Sequence, residues 1–177
     1  KHILESAGYV DTDGDGYIEK DGQNISLTIA YYKRLSQEAI ATELQSTLKK
    51  IGIQSELQLH EGTKYLLNKE YDLGFYSMVT MPTGDPAYYL NALLSEGGSV
   101  NYSGYDNHAI QVLLKQLNDS YDTNVRKEIV KQIEEMLLAS YSITYIGFNN
   151  LIFATRKELK NFVPHVTDYY QITVDLE

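Results

Sequence analysis

The chain has 177 residues and a mass of 20.1 kDa; 43% of its residues are apolar and 22% charged, the balance of a folded unit and not of a disordered tail. Its 15 lysines and arginines face 24 aspartates and glutamates, a formal charge of -9 that opposes binding to nucleic acid or anionic lipid. With no cysteine, disulfide scaffolds, thiol catalysis and Cys-ligated zinc are excluded, and no apolar run approaches the roughly 20 residues that cross a bilayer.

In chain order, Lys1 to Gly8 read as the closing turns of an amphipathic helix with Gly8 as its left-handed terminator. A chain that opens in mid-helix has the character of a piece of a longer protein. Next comes Asp11-Thr12-Asp13-Gly14-Asp15-Gly16-Tyr17-Ile18-Glu19. Carboxylates at loop positions one, three and five with glycine at six can converge on a hard cation. Tyr17 could add its carbonyl and Glu19 a ninth-position ligand. Gly22 occupies the twelfth position, where a full EF-hand carries a bidentate glutamate, and a strand follows instead of a helix. The residues admit two readings, a metal-free charged turn or a structural Ca2+ site; no other cofactor is required.

Ile25 to Tyr32 alternates and is β-branched, the pattern of a strand. Ser36 offers a helix cap, Ile40, Leu44, Leu48 and Ile51 form one apolar stripe, and Gly52 ends that helix. A strand is predicted over Ile53 to Leu59, with Ile53, Leu57 and Leu59 on one face. A short helix over Thr63 to Lys69 and a strand over Asp72 to Val79 follow. This alternation is that of right-handed crossovers about a parallel sheet. Thr80 to Pro86 interrupts it with two prolines and a glycine. Helices are then predicted over Ala87 to Leu94, Ala109 to Leu117 and Thr123 to Ala139, with the loop Ser95 to Tyr105 between the first two. The last helix has Asp122 as its cap and Val125, Ile129, Ile133, Met136 and Leu137 on its buried side. Strands are predicted over Ile143 to Phe148 and Tyr170 to Val174.

Ligands in open α/β sheets lodge outside the carboxyl ends of the strands. The stiffest loop there is Thr80 to Pro86, in which Pro82 and Pro86 restrict the backbone about Thr83, Gly84 and Asp85. Asp85 is read first as the cap of the helix that begins near Ala87. The candidate ligand contacts are Tyr76, Thr80, Met81, Pro82, Thr83, Gly84, Asn101 and Tyr102. Catalytic signals are thin. Ser46-Thr47-Leu48-Lys49 lies within a regular amphipathic helix, and His2, His60, His108 and His165 have no metal-ligand spacing. No enzyme is expected.

The ordered motifs Leu4-Glu5-Ser6-Ala7-Gly8-Tyr9, Asp11 to Gly16, Leu48-Lys49-Lys50-Ile51-Gly52-Ile53, Tyr71-Asp72-Leu73, Gly84-Asp85-Pro86 and Asn101-Tyr102 through Asn107 resemble the family 5 extracellular solute-binding proteins. These are the receptors of peptide and nickel ABC importers. The resemblance implies an α/β, periplasmic-binding-protein-like type II lobe, a mixed and mostly parallel sheet flanked by helices. Residues 1–177 would form one lobe, the C-terminal part of a two-lobed receptor, with 150–177 a return segment towards the other lobe. It further implies a monomer, extracytoplasmic as a periplasmic protein or a cell-surface lipoprotein, that closes on a small molecule or metal chelate and is read by a membrane ABC permease.

Peptide-binding members commonly carry an aspartate four residues before the proline equivalent to Pro86, where it pairs with the peptide amino terminus; that position is Pro82 here. Nickel-type members also lack the acid. The segments Ile143-Thr144-Tyr145-Ile146 and Lys157 to Asn161 resemble the nickel type as well. The histidine that some of these place after the Gly-Asp-Pro helix falls near Gly98, and their tryptophan near Thr80. The resemblance thus implies a ligand that contains Ni2+ as a small chelate, held mainly by the other lobe, with Met81, Thr83 and nearby tyrosines closing over it. The alternatives are an oligopeptide receptor that grips its ligand by backbone pairing and, from another class, a calcium-stabilised extracellular interaction module.

Overall fold

The strand Ser26–Tyr32 organises the first half of the chain, and its last four residues, Ile29 to Tyr32, are all buried. A strand covered on both faces is buried at successive residues, and here only the second half, Ile29-Ala30-Tyr31-Tyr32, is an unbroken apolar run, after an alternating first half. The computed structural model describes residues 1–82, 84–150 and 152–165, in two compact units, Lys1–Met78 and Val79–Glu177.

In the first unit, α1 (His2–Ser6) ends at Gly8, whose φ of +84° lets the amides of Gly8 and Tyr9 turn back onto the carbonyls of Glu5 and Leu4. Strands β1 (Glu19–Lys20) and β2 (Gln23–Asn24) form an antiparallel ribbon. Asp21 and Gly22 both take positive φ between them, the requirement of a tight hairpin turn. The strand above is β3; β4 (Gln54–His60) and β5 (Leu73–Gly74) pair with it in parallel, in the order β4-β3-β5. Each parallel step needs a crossover. α2 (Gln37–Lys50) and α3 (Tyr65–Asn68) supply them. The parallel-sheet crossovers expected from the sequence are present.

The stripe on α2 packs as its spacing requires. Ile40, Leu44 and Leu48 lie against Ile29, Tyr31, Ala41 and Phe75, joined by Leu57 of β4. Burying each such side chain contributes about 1.5–3 kcal/mol against conformational entropy. Ser36 does not cap α2 with its side chain; it takes φ +68°, and the amide of Gln37 bonds Arg34 instead. Leu59 is not on the buried face, being 57% exposed. β5 is shorter than the predicted strand, since pairing covers only Leu73–Gly74 before Phe75 makes a last bond to Ala30.

The described part of the second unit is helical. α4 (Ala87–Leu94), α5 (His108–Asp119) and α6 (Thr123–Ala139) match the predicted helices closely. α5 packs on both others through Leu90, Leu94, Ile110, Leu117, Ile133 and Leu137, all buried. Asn107 caps α5, and Asp122 caps α6 by accepting from the amides of Asn124 and Val125 at 2.9 Å. Val125 itself is exposed, so the buried stripe begins at Ile129. Residues 143–148 form no strand. The predicted strand Tyr170 to Val174 lies outside the described residues.

Candidate functional site

The loop that breaks the α/β alternation is held by ionic and backbone bonds at both ends. Met81 accepts from the Gly84 amide at 3.1 Å, closing a turn in which Gly84 has φ +79°. Asp85 then does what its position predicts: its Oδ1 accepts from the Ala87 amide at 2.8 Å, holding the start of α4. It also does more. The Arg126 guanidinium bonds both Asp85 oxygens at 2.7 Å and spans to the carbonyls of Leu117 and Ser120 at the end of α5. One arginine thus ties the loop, α5 and α6 together. The Ala87 amide first, and Arg126 after it, hold the Asp85 carboxyl below its ordinary 3.8.

Arg126 belongs to none of the motifs in the sequence. It stands in register with Ile129, Ile133 and Leu137, and a guanidinium in line with a buried stripe needs an acidic or carbonyl partner. A second tie joins Asn91 and Asn118, whose amides bond each other reciprocally at 2.9 and 3.0 Å. A third is the Tyr89 hydroxyl, which donates to Tyr145 at 2.6 Å. Burial raises the pKa of both phenols, so the pair stays neutral at any ordinary pH.

Within the second unit the proposed contacts stand as follows. Met81 is 50% exposed, Thr80 and Pro82 are half-buried, and Gly84 is exposed. Thr83 lies outside the described residues. Asn101 turns inward, its side-chain amide donating to Tyr105 at 2.8 Å, and its own amide closes a turn on Gly98. Tyr102 is half-buried. Asn101 therefore serves first to shape its loop. Tyr76 belongs to the first unit and is 37% exposed.

The first unit has a depression of about 440 Å³ at the carboxyl end of β4. His60, stacked on Tyr65 at 4.3 Å, Lys64 and Glu70 line it. Tyr65 is committed to structure: its hydroxyl donates to the Phe75 carbonyl at 2.6 Å, and burial raises its pKa. No nucleophile–base pair accompanies these groups among the described residues. In the aspartate loop, one ligand oxygen from each of Asp11, Asp13, Asp15 and Glu19 lies within 4.8 Å of the others. Tyr17 follows, half-buried.

Comparison with known proteins agrees with this architecture. Residues 1–101 match the family model described as bacterial extracellular solute-binding proteins, family 5 Middle. The chain is 31% identical over 150 residues to the nickel-binding protein NikA of Staphylococcus aureus, covering 84% of this chain and 30% of that protein. It is 28% identical to the oligopeptide-binding protein AppA of Bacillus subtilis, covering 97% of this chain and 33% of AppA. Among solved structures, a nickel ABC transporter protein of Bacillus halodurans superposes with a TM-score of 0.70 at 31% identity, over 80% of this chain and 30% of that one. The chain spans about a third of the length of its curated relatives. These relatives are binding proteins of transporters, and no described helix is long and apolar enough to cross a membrane. A match over more than half its length, on a β/α core of the type II periplasmic-binding-protein class, means that the chain belongs to the family 5 bacterial extracellular solute-binding proteins.

Proposed function

We propose that this chain is part of the substrate-binding component of an ABC importer, working outside the cytoplasm, and that its ligand is a small nickel chelate. The observation that carries the ligand class is the 31% identity to a nickel-binding protein across 84% of the chain. Pro82 supports it. A proline carries no charge to meet a peptide's amino terminus, and its place in the turn before α4 leaves no side-chain acceptor there. Met81, half-exposed beside it, presents a thioether and an apolar stem suited to cover an organic chelate rather than to ligate a hard ion. Thr80, Thr83, Gly84 and Tyr102 would complete this chain's share of the contacts, the remainder of the receptor holding the chelate from the other side. Nothing in the site calls for catalysis, and the receptor would hand its ligand to a membrane permease as a monomer.

The oligopeptide reading has its own support in the 28% identity to AppA over 97% of the chain. A peptide held by its backbone needs few side-chain contacts. Calorimetric titration of the full-length protein with nickel-histidine and, separately, with mixed oligopeptides divides the two. Saturable binding of the nickel complex, with peptides binding weakly or not at all, is expected. Tight peptide binding with no response to the nickel complex would overturn the proposal in favour of the peptide receptor.

A further inference from the structure

The aspartate loop takes no part in the transport reading, and its geometry has a feature that a solvated turn does not need. Glu19 is only 5% exposed, yet its Oε1 is sealed from solvent with no hydrogen-bond partner, while Oε2 accepts from the Thr12 amide at 2.7 Å. A buried carboxylate oxygen without a donor costs several kcal/mol unless a cation or proton meets it. The same carboxylate belongs to the group of four whose ligand oxygens come within 4.8 Å of one another.

No protein cation among the described residues answers this charge. Among the described residues none of the four carboxylates forms an ion pair, and the neighbouring Lys20 is turned away, its Nζ on the Ala7 carbonyl and over the Tyr9 ring. The backbone holds the carboxylates together nonetheless. Asp11 accepts from the amides of Gly14 and Gly16, Asp13 from Asp15, and Asp15 from Tyr17.

We infer that this loop is a Ca2+ site, with carboxylate ligands from Asp11, Asp13, Asp15 and Glu19. An all-oxygen donor set rich in carboxylates selects a hard cation, and Ca2+ accepts the irregular geometry of a loop where Mg2+ demands a regular octahedron. Glu19, from the start of β1, supplies the acidic ligand that Gly22 cannot. The ion's place is structural. Glu19 bridges Val10, just after α1, and Ile18 donates at 2.8 Å to the carbonyl of Gly52 in the turn between α2 and β4, so the end of the loop ties these two segments together.

The test is calcium titration of the full-length protein after treatment with a chelator, read by calorimetry and by the melting temperature; neither readout involves the transported ligand. One equivalent should bind with a Kd of about 10⁻⁴ M, as in extracellular Ca2+ modules, and should raise the melting temperature. Asp13→Asn keeps the turn to Asp15 and the fold, and should weaken binding tenfold or more. Glu19→Gln should do the same. Tb3+ excited through tyrosine should luminesce when bound, and Tyr17→Phe should dim that signal. An absence of saturable binding in the parent protein, or binding that Asp13→Asn leaves intact, would overturn the assignment.

Discussion

Arg126→Ala should be among the most damaging single changes in the second unit. The guanidinium is 20% exposed and serves three partners at once: the Asp85 carboxylate and the carbonyls of Leu117 and Ser120. Truncation strips the charged donor from both carbonyls at about 1 kcal/mol each. The ion pair adds at most about 1 kcal/mol, because Asp85 is 43% exposed and water screens it. The expected loss is thus about 3 kcal/mol, measured as the unfolding free energy from urea titration followed by far-UV circular dichroism. Asp85→Asn isolates the ionic part, since an amide oxygen can still accept from Ala87; it should cost about 1 kcal/mol. Arg126→Lys should recover only a fraction, because an ammonium cannot fork to the carboxylate while reaching two carbonyls. The sign with pH follows from the depressed pKa of Asp85. The unfolded chain takes up the proton more readily, so the pair stabilises the fold above the ordinary value of 3.8 and ceases to as pH falls through the lower folded value. The gap between the parent and Asp85→Asn should therefore be full at neutral pH and close in strong acid. Equal stabilities for the parent and Arg126→Ala would refute the reasoning.

The tyrosine pair makes an asymmetric prediction. Tyr145→Phe should cost about 1–2 kcal/mol, because it leaves the hydroxyl of Tyr89, a residue 8% exposed, without an acceptor. Tyr89→Phe should stay within about 0.5 kcal/mol, since Tyr145, 46% exposed, can turn to water; thermal melts of the two variants distinguish these outcomes. Gly52 has φ +88°, and a Cβ there would stand 2.9 Å from Ile18 Cγ2, so Gly52→Ala should cost about 2 kcal/mol in urea unfolding. Gly62→Ala, where a Cβ meets nothing within 4 Å, should be neutral or slightly stabilising by the same measurement.

Much of the fold was legible because two periods rarely coincide by chance. The alternation in Ile25 to Tyr32 and the helical stripe from Ile40 to Leu48 both lie on real elements that pack on one another. α4 and α6 begin and end where capping and punctuation place them. The misreadings share a cause. Ile143 to Phe148 has strand-like residues, but a strand exists only with a neighbour to pair with, and local composition carries no record of neighbours. Its Tyr145 spends its hydroxyl on Tyr89, and Phe148 is 86% exposed. Ser36 looked like a cap because serine usually caps; the chain takes a left-handed step there instead, and the buried Gln37 side chain accepts from the Tyr32 amide and donates to Ser77. Arg126 was missed because an arginine in a helix reads as solvated until a carboxylate from a distant loop faces it.

The candidate site divides along the same line. The role of Asp85 as a cap lay in its spacing to Ala87, a contact two residues away, whereas its bond to Arg126 spans 41 residues and is set only by how α5 packs on α4 and α6. Asn101 shows the converse hazard: a polar residue in a glycine-rich loop invites a binding role, yet its amide is occupied with Tyr105. The aspartate loop is the case where both kinds of information meet. Its spacing announces oxygen ligands, but spacing alone could not separate a charged turn from a metal site. What favours the metal is tertiary: β1 draws Glu19 into the protein and leaves one of its oxygens without a donor. A turn free of metal would gain nothing by burying that oxygen, whereas a cation coordinated by the four carboxylates would offset the cost and bind the loop to the sheet.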